Sequence, residues 1–342
     1  MEINGIKSRY YTYTLDEQIY DQISERFIAF DTETTGLYNC RIIELGAVLF
    51  EYGLPVKRFN TLINIGQPVP FEATKVNHIT TTMIKSAPKP REAYKKFLDF
   101  IGDAAYGETF IVCHNTDFDM LNLIQELENS EYVFRCLDTL ELAKRLIFEL
   151  SHYKLSDVAD YYGVNNKNAH RACEDAEVCG EILVNMMQSM SSPGQIVEDI
   201  RKKNRPTAFE FPYCKYLYNM LKRTGYDMSG VRFVRKRGLY VAKSTYTILE
   251  FKVTSRSSYA VVERREVSPA LNLKPCSKAE GSVNGRLSLS SPTDLNQIQE
   301  YIVSRFKKAV DWTDNVYSQM YPENLKFLEW ERSLLEPFEN YL

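Results

Sequence analysis

The strongest constraint on this chain lies at residues 27–37, FIAFDTETTGL. There an apolar strand runs straight into two acids one residue apart, Asp31 and Glu33, and then into a Thr-Thr-Gly turn. Side chains at i and i+2 of a strand point to the same face. Both carboxylates therefore project together from the end of a buried strand. Like charges this close repel, and one pKa rises unless a cation intervenes. Two carboxylates facing one space are hard oxygen donors of the kind Mg²⁺ and Mn²⁺ prefer. A lone D-x-E is more often a solvated strand end, so the pair needs company before it means chemistry.

The surrounding pattern sets the fold class. Residues 26–33, RIIELGAVLFEYG (41–53) and VKRFNTLIN (56–64) read as three strands separated by turn residues, most simply a meander. REAYKKFLDFIGD (91–103) spaces Ala93, Tyr94, Phe97, Leu98 and Ile101 as a helix does. TFIVCHN (109–115) is a fourth strand, and helices are expected near 117–129, 138–148, 154–163 and 170–187, with Gly163 as a C-cap. A meander followed by alternation indicates an α/β fold, a mixed sheet flanked by helices. SMSSPG (189–194) and KKNRPTA (202–208) mark a linker over 189–208. Beyond it a short helix near 212–224, β-rich stretches over 231–263 and a helix at 291–306 opened by Ser291, Pro292 and Asp294 make a smaller α+β module, 209–342.

Further acids keep the D-x-E company. VCHNTDFDM (112–120) delivers Asp117 and Asp119 at a helix start, and AHRACEDAE (169–177) places His170 five residues before Asp175. Five residues turn a helix by about 500°, so the two cannot share a helix face. His170 is therefore expected at the loop-to-helix junction, with Asp175 one turn in.

FDTETTGL, CHNTDFD and HRACEDA together resemble the three motifs of the DEDDh family, the DnaQ-like 3′→5′ exonucleases related to the proofreading epsilon subunit of bacterial DNA polymerase. CLDTLELAKRL (136–146) and HYKLSDVADYYGV (152–164) match that family's connecting segments, and the similarity covers roughly residues 25–188. The resemblance implies a ribonuclease H-like fold for an exonuclease domain over 1–188. It implies Asp31, Glu33, Asp119 and Asp175 as carboxylates for two Mg²⁺ or Mn²⁺ ions, and His170 as general base. Two such ions about 3.5–4 Å apart activate water, relieve charge at phosphorus and stabilise the leaving oxygen. Imidazole, with a reference pKa of about 6.5, accepts a proton near neutral pH without adding negative charge beside the phosphate.

The flanking residues carry smaller expectations. The backbone of Thr32, Thr34 and Gly36 either approaches the terminal nucleotide or only makes a turn, and Leu37 wedges against its base, as the matching position does in related enzymes. Asn115 either caps the following helix or lies near the scissile phosphate. Asp117 suits a helix N-terminus, and Asp138 is a cap or a partner behind the ligands. In VNHIT the order differs by one from the His-Gly-Ile common in relatives, so His78 is read as a surface loop histidine. His114 is expected to bond near its strand end and His152 to lie at the surface.

Composition narrows the setting. No apolar run reaches about 18 residues, so no membrane span is expected, and MEINGIKSRYYTYTLDEQ has no secretory h-region. The cysteines (7) are odd in number and without C-x-x-C, which suits free thiols in the cytoplasm better than disulfides or zinc. Residues 201–275 carry 17 Lys and Arg against 5 Asp and Glu, a net +12 that leaves −15 for the rest of a chain of net −3. That asymmetry hints at a polyanionic partner, against the plainer reading of a solvated surface. The expected activity is metal-dependent 3′→5′ exonuclease action on single-stranded DNA ends, in replication or repair. RNA or oligoribonucleotides are the alternative substrate, and a non-catalytic nucleic-acid-binding scaffold is the alternative class. The C-terminal module, 209–342, is a candidate for nucleic-acid or protein-partner binding.

Overall fold

The computed structural model describes residues 8–127, 131–166, 169–236, 238–277, 280–313 and 322–342. By compactness the chain divides into Met1–Ile196 and Val197–Leu342.

The first unit is built on a six-stranded sheet. Its strands are β1 (Arg9–Tyr13), β2 (Arg26–Thr34), β3 (Ile42–Glu51), β4 (Leu54–Leu62), β5 (Phe110–Cys113) and β6 (Val133–Asp138), in the order β1-β6-β5-β2-β3-β4. β2, β3 and β4 pair antiparallel, as the meander predicts, while β2–β5, β5–β6 and β6–β1 are parallel. Apart from β1 this is a ribonuclease H-like mixed sheet. The helices are α1 (Glu17–Glu25), α2 (Phe71–Asn77), α3 (Thr81–Lys85), α4 (Pro90–Ile101), α5 (Thr116–Glu126), α6 (Thr139–Leu146), α7 (Leu155–Tyr162) and α8 (Ala172–Ser189). Gly163 closes α7 with φ 69, the left-handed C-cap read from the sequence.

Strand β2 is buried on both faces, and its parity decides where the acids go. Ile28 and Phe30 share a core with Phe97 of α4 and Met120 of α5. Phe27, two and four residues before Ala29 and Asp31, stacks on Phe50 at 4.8 Å, on the opposite face. A side chain added at Gly180 of α8 would strike that Phe50 ring at 2.2 Å. The helix therefore lies flat on the face that Asp31 and Glu33 share. At the other end of the contact, a Cβ on Gly46 would sit 2.0 Å from the carbonyl carbon of Ala172. Glycine at 46 lets the start of α8 come to backbone contact with β3, and glycine at 180 leaves room for the Phe50 ring against the helix.

Several elements escape the sequence reading. β1 and α1 precede the first expected strand, α2 and α3 fall over 65–90, where no element was expected, and β6 lies between the helices expected near 117–129 and 138–148. A further helix, α9 (Pro193–Asn204), occupies much of the stretch read as linker. Pro193 stands in its first turn, where proline costs no hydrogen bond, so the Ser-Pro-Gly signal opens a helix there instead of a loop.

The second unit is a six-stranded antiparallel sheet, ordered β11-β12-β10-β9-β8-β7. The strands are β7 (Arg232–Lys236), β8 (Leu239–Lys243), β9 (Thr247–Val253), β10 (Ser258–Glu263), β11 (Lys274–Pro275) and β12 (Asn284–Ser288). Helices α10 (Phe211–Lys222) and α11 (Gln299–Trp312) supply Leu217, Tyr218, Ile302 and Phe306 to its core beside Phe251 and Phe338. Ser291 caps the helix as expected and forms a capping box with Asp294, but Pro292–Ile298, the first two turns, is 3₁₀ and not α. Part of the local basic excess is answered within the unit. Arg235 pairs with Glu210 at 2.6 Å, Lys243 with Glu331 at 2.7 Å and Arg205 with Glu198 at 3.5 Å. The seven cysteines are free. No helix among the described residues is long and apolar enough to cross a membrane.

Candidate active site

The end of β2, the start of α5 and the start of α8 bring the sequence motifs together. Asp31 and Glu33 leave β2 toward α8, opposite Gly46 and Glu44 of β3, just before the β2–β3 register shifts at Thr34. Asp119, in the first turn of α5 and 3% exposed, accepts from the Thr32 amide (3.0 Å) and hydroxyl (2.6 Å). Asp175 lies one turn into α8 and accepts from the His170 amide at 2.8 Å. His170 itself sits just before the helix with φ 69. Ligand-capable atoms of Glu33, His170 and Asp175 all lie within 4.8 Å of one another.

Electrostatics tie Asp31 and Asp119 into the same cluster. Burial first, then the charges of Asp119, Asp175, Glu33 and Glu44, hold the Asp31 carboxyl well above its ordinary range. Burial, with Asp175 and Glu44 next, pushes Glu33 up to about 8, against a lowering bond from Asn77. Asp119 is pushed up to about 7 by burial, against the two Thr32 bonds. Asp175 is raised by burial, against the His170 amide. Four carboxylates that resist ionising together, with an imidazole beside them, fit divalent cations. The donors are hard oxygens, and the added positive charge would remove the repulsion that lifts them.

Several residues at the site escaped the sequence reading. Glu44, fully buried in β3, accepts from Arg171 Nη2 at 2.6 Å, from Arg171 Nε at 3.2 Å on both oxygens, and from the Ala172 amide at 3.2 Å. A single acid inside the buried run IIELGAVLF was the available signal. In VNHIT the residue that reaches the site is Asn77, whose amide donates to the Thr34 carbonyl at 3.3 Å. His78 is exposed at the left-handed end of α2, as expected for a surface histidine. Asn115 precedes α5 with φ 74 but its side chain makes no cap bond, which corrects the capping expectation. Asp138 takes that duty. It accepts from the amides of Asn115 (3.1 Å) and Thr116 (3.1 Å), and caps α6 through Leu140 (2.8 Å).

The remaining residues fall around the rim. Thr32 has its amide committed to Asp119, and the Thr34 hydroxyl donates to the Gly36 carbonyl at 2.6 Å. The loop after β2 is closed by Thr35 N–H to Arg41 O (3.0 Å) and Arg41 N–H to the Thr35 hydroxyl (2.9 Å). Leu37 and Tyr38 project from it, 75% and 90% exposed. Asp117 accepts from the Tyr10 hydroxyl at 2.8 Å, and His114 bonds Thr139 (2.9 Å) and the Tyr153 carbonyl (2.8 Å).

Comparison with known proteins follows the same boundaries. The RNase_T family model, described as Exonuclease, matches residues 28–183. The epsilon subunit of DNA polymerase III from Treponema pallidum (strain Nichols) is 37% identical over 168 residues, covering 47% of this chain and 76% of that protein. A PolC-type DNA polymerase III from Caldanaerobacter subterraneus subsp. tengcongensis is 36% identical over 172 residues, 49% of this chain but only 12% of that protein. Among solved structures, the nuclease domain of 3′hExo, a DEDDh family member bound to rAMP, aligns with 16% identity and a TM-score of 0.43, covering 48% of this chain and 92% of that one.

Proposed function

Because this chain belongs to the DnaQ-like family of DEDDh 3′→5′ exonucleases, we propose that it removes nucleotides from the 3′ ends of single-stranded DNA. The observation that carries this reading is the convergence of Asp31, Glu33, Asp119 and Asp175 with His170 at one end of the sheet. Bound there by the four carboxylates, two Mg²⁺ or Mn²⁺ ions would supply charge relief at phosphorus and an activated water. The protein's own part is to hold and to move a proton. Thr32 fixes Asp119 from the strand side, and the His170 amide fixes Asp175 from the helix side. The His170 imidazole, beside Glu33 and Asp175, takes the proton of the attacking water at a ring nitrogen. Leu37, in a loop closed at its base, offers an apolar face to the terminal base, with the Thr34–Gly36 backbone and Asn115 beside the sugar and phosphate.

We assign the exonuclease domain to 1–188 (core 25–188), a connecting segment to 189–208 and a module that binds nucleic acid or a protein partner to 209–342. The basic excess of 201–275 supports the last assignment. A role in cytoplasmic DNA replication or repair is in keeping with the polymerase III names of the relatives.

The test is a time course on end-labelled single-stranded DNA, duplex DNA and RNA with Mg²⁺, Mn²⁺ or chelator. Wild type shortens single-stranded DNA from its 3′ end with metal only, and folded Asp31→Ala and His170→Ala do not. Equal digestion by His170→Ala removes the assigned base. Faster digestion of RNA moves the substrate to RNA, and no digestion at all turns the reading to a binding scaffold.

A further inference from the structure

His170 occupies a backbone conformation that a side chain other than glycine adopts at a cost, with φ 69. Such a conformation persists only where its surroundings impose it. On one side the His170 amide is tied to Asp175 Oδ2 at 2.8 Å. On the other side the chain passes into Arg171, whose guanidinium grips Glu44 on a different element altogether. Glu44 also takes the Ala172 amide, the first of α8. Its carboxylate has no exposed surface, and Glu44 stands directly across the β2–β3 ladder from Glu33. Residues so opposed carry their side chains on one face. The glycine at 46, two residues along β3, lets the Ala172 backbone come down onto the strand.

We infer that the Glu44–Arg171 ion pair is a positioning clamp, an inference that rests on the exonuclease reading above. It fixes the start of α8 to β3, and so sets the place of the His170 imidazole and the Asp175 carboxylate relative to Glu33. With Glu44 fully buried and the Arg171 side chain 36% exposed, the ion pair is a poor way to gain stability, because an apolar pair of similar volume often does as well. What the apolar pair does not supply is direction. Arg171 bonds Glu44 through Nε and Nη2 together, and this two-point contact defines an orientation as well as a distance. Arg171 and Glu44 are thus positioning residues, acting through His170 and Asp175 and not on the phosphate.

Three variants test this: Arg171→Met, the double variant Glu44→Leu with Arg171→Met, and Arg171→Lys. Arg171→Met leaves the buried Glu44 carboxylate without its counter-charge, holding the Ala172 amide only, so its melting temperature and its kcat both fall. The double variant recovers the melting temperature, yet its kcat on a labelled oligonucleotide stays about tenfold or more below wild type with KM little changed. Arg171→Lys keeps the charge and loses the two-point contact, so its kcat falls between those of wild type and the double variant. Amide hydrogen exchange in the metal-free protein reads the clamp without activity. The amides of Ala172 and Cys173 exchange about tenfold faster in Arg171→Met, which keeps the Glu44 acceptor of the Ala172 amide, while those of β5 do not change. If kcat returns together with the melting temperature, the pair is merely structural and the inference falls. If KM rises while kcat holds, Arg171 binds substrate and the inference also falls. Should the double variant not fold, Arg171→Lys decides alone, and wild-type kcat there overturns the clamp. A wild type inactive on every substrate overturns the exonuclease reading instead, and unaltered exchange at Ala172 then overturns the clamp separately.

Discussion

The metal-free protein carries a pH dependence of its own, and Glu33 is where it can be measured. Burial, followed by the charges of Asp175 and Glu44, lifts this carboxyl from 4.5 to about 8. A carboxyl raised in the folded state keeps a proton that the unfolded chain has already released. Its contribution to stability is complete below pH 4.5 and is lost as pH rises through about 8. Within that window one proton corresponds to a fall of about 1.4 kcal/mol per pH unit, and the whole traverse to about 5 kcal/mol. Glu33→Gln keeps the shape and removes the proton from the balance. Asp31 and Asp119, also raised, keep part of the slope in the variant. Urea unfolding in chelator, from about pH 5 to about pH 8, should show wild type losing stability more steeply than Glu33→Gln by about 1 kcal/mol per pH unit. Saturating Mn²⁺ should flatten the wild-type curve, because the folded state alone offers the assembled ligands. Parallel curves for wild type and variant in chelator would refute the account of Glu33 as a buried, repelled carboxylate.

Gly46→Ala should push α8 off the sheet, since its Cβ would meet the Ala172 carbonyl carbon at 2.0 Å and the Cys173 nitrogen at 2.1 Å. A loss of about 1–3 kcal/mol in stability and a larger loss of nuclease activity are expected, and unchanged values of both would show that the helix has room to spare. Asp138→Ala removes an acceptor shared by the Asn115, Thr116, Leu140 and Glu141 amides. It should cost about 1–2 kcal/mol by urea unfolding, and an unshifted midpoint would contradict the capping assignment. Lys236 and Lys252 line one cavity of the second sheet with Arg286. Their joint replacement by Gln should lessen the salt dependence of binding to long single-stranded DNA, by about 1.4 in the slope of log K against log salt. An unaltered slope would take this sheet out of the nucleic-acid path.

The residues that were readable in the sequence share a position in the fold. Asp31 and Glu33 end β2, Asp119 opens α5, and His170 and Asp175 open α8. At such points the apolar period breaks, and a charge beside the break is visible in a few consecutive letters. The supports do not advertise themselves this way, because they lie inside elements or depend on partners far along the chain. Glu44 sits in a strand whose period reads as core, 127 residues from Arg171. Gly46 looks like a weakness in β3 until the α8 backbone is seen resting on it. Asn77 is overshadowed in VNHIT by a histidine that a chemist would notice first, although the asparagine is the buried one. Asn115 has the composition of a cap, and Asp138 from another strand takes the bonds. Secondary structure follows the same division. The β1 strand and the β6 strand are each short and mixed in polarity; β1 is made a strand by β6, pairing Arg9 with Val133 through Tyr13 with Leu137, and β6 by β1 on one side and β5 on the other. Local pattern therefore locates the candidate groups, whereas the geometry that brings them together is written in pairs of distant residues. The Glu44–Arg171 contact belongs to the second kind, so the proposed clamp predicts that a change at Glu44, outside all three exonuclease motifs, would displace the site while leaving those motifs intact.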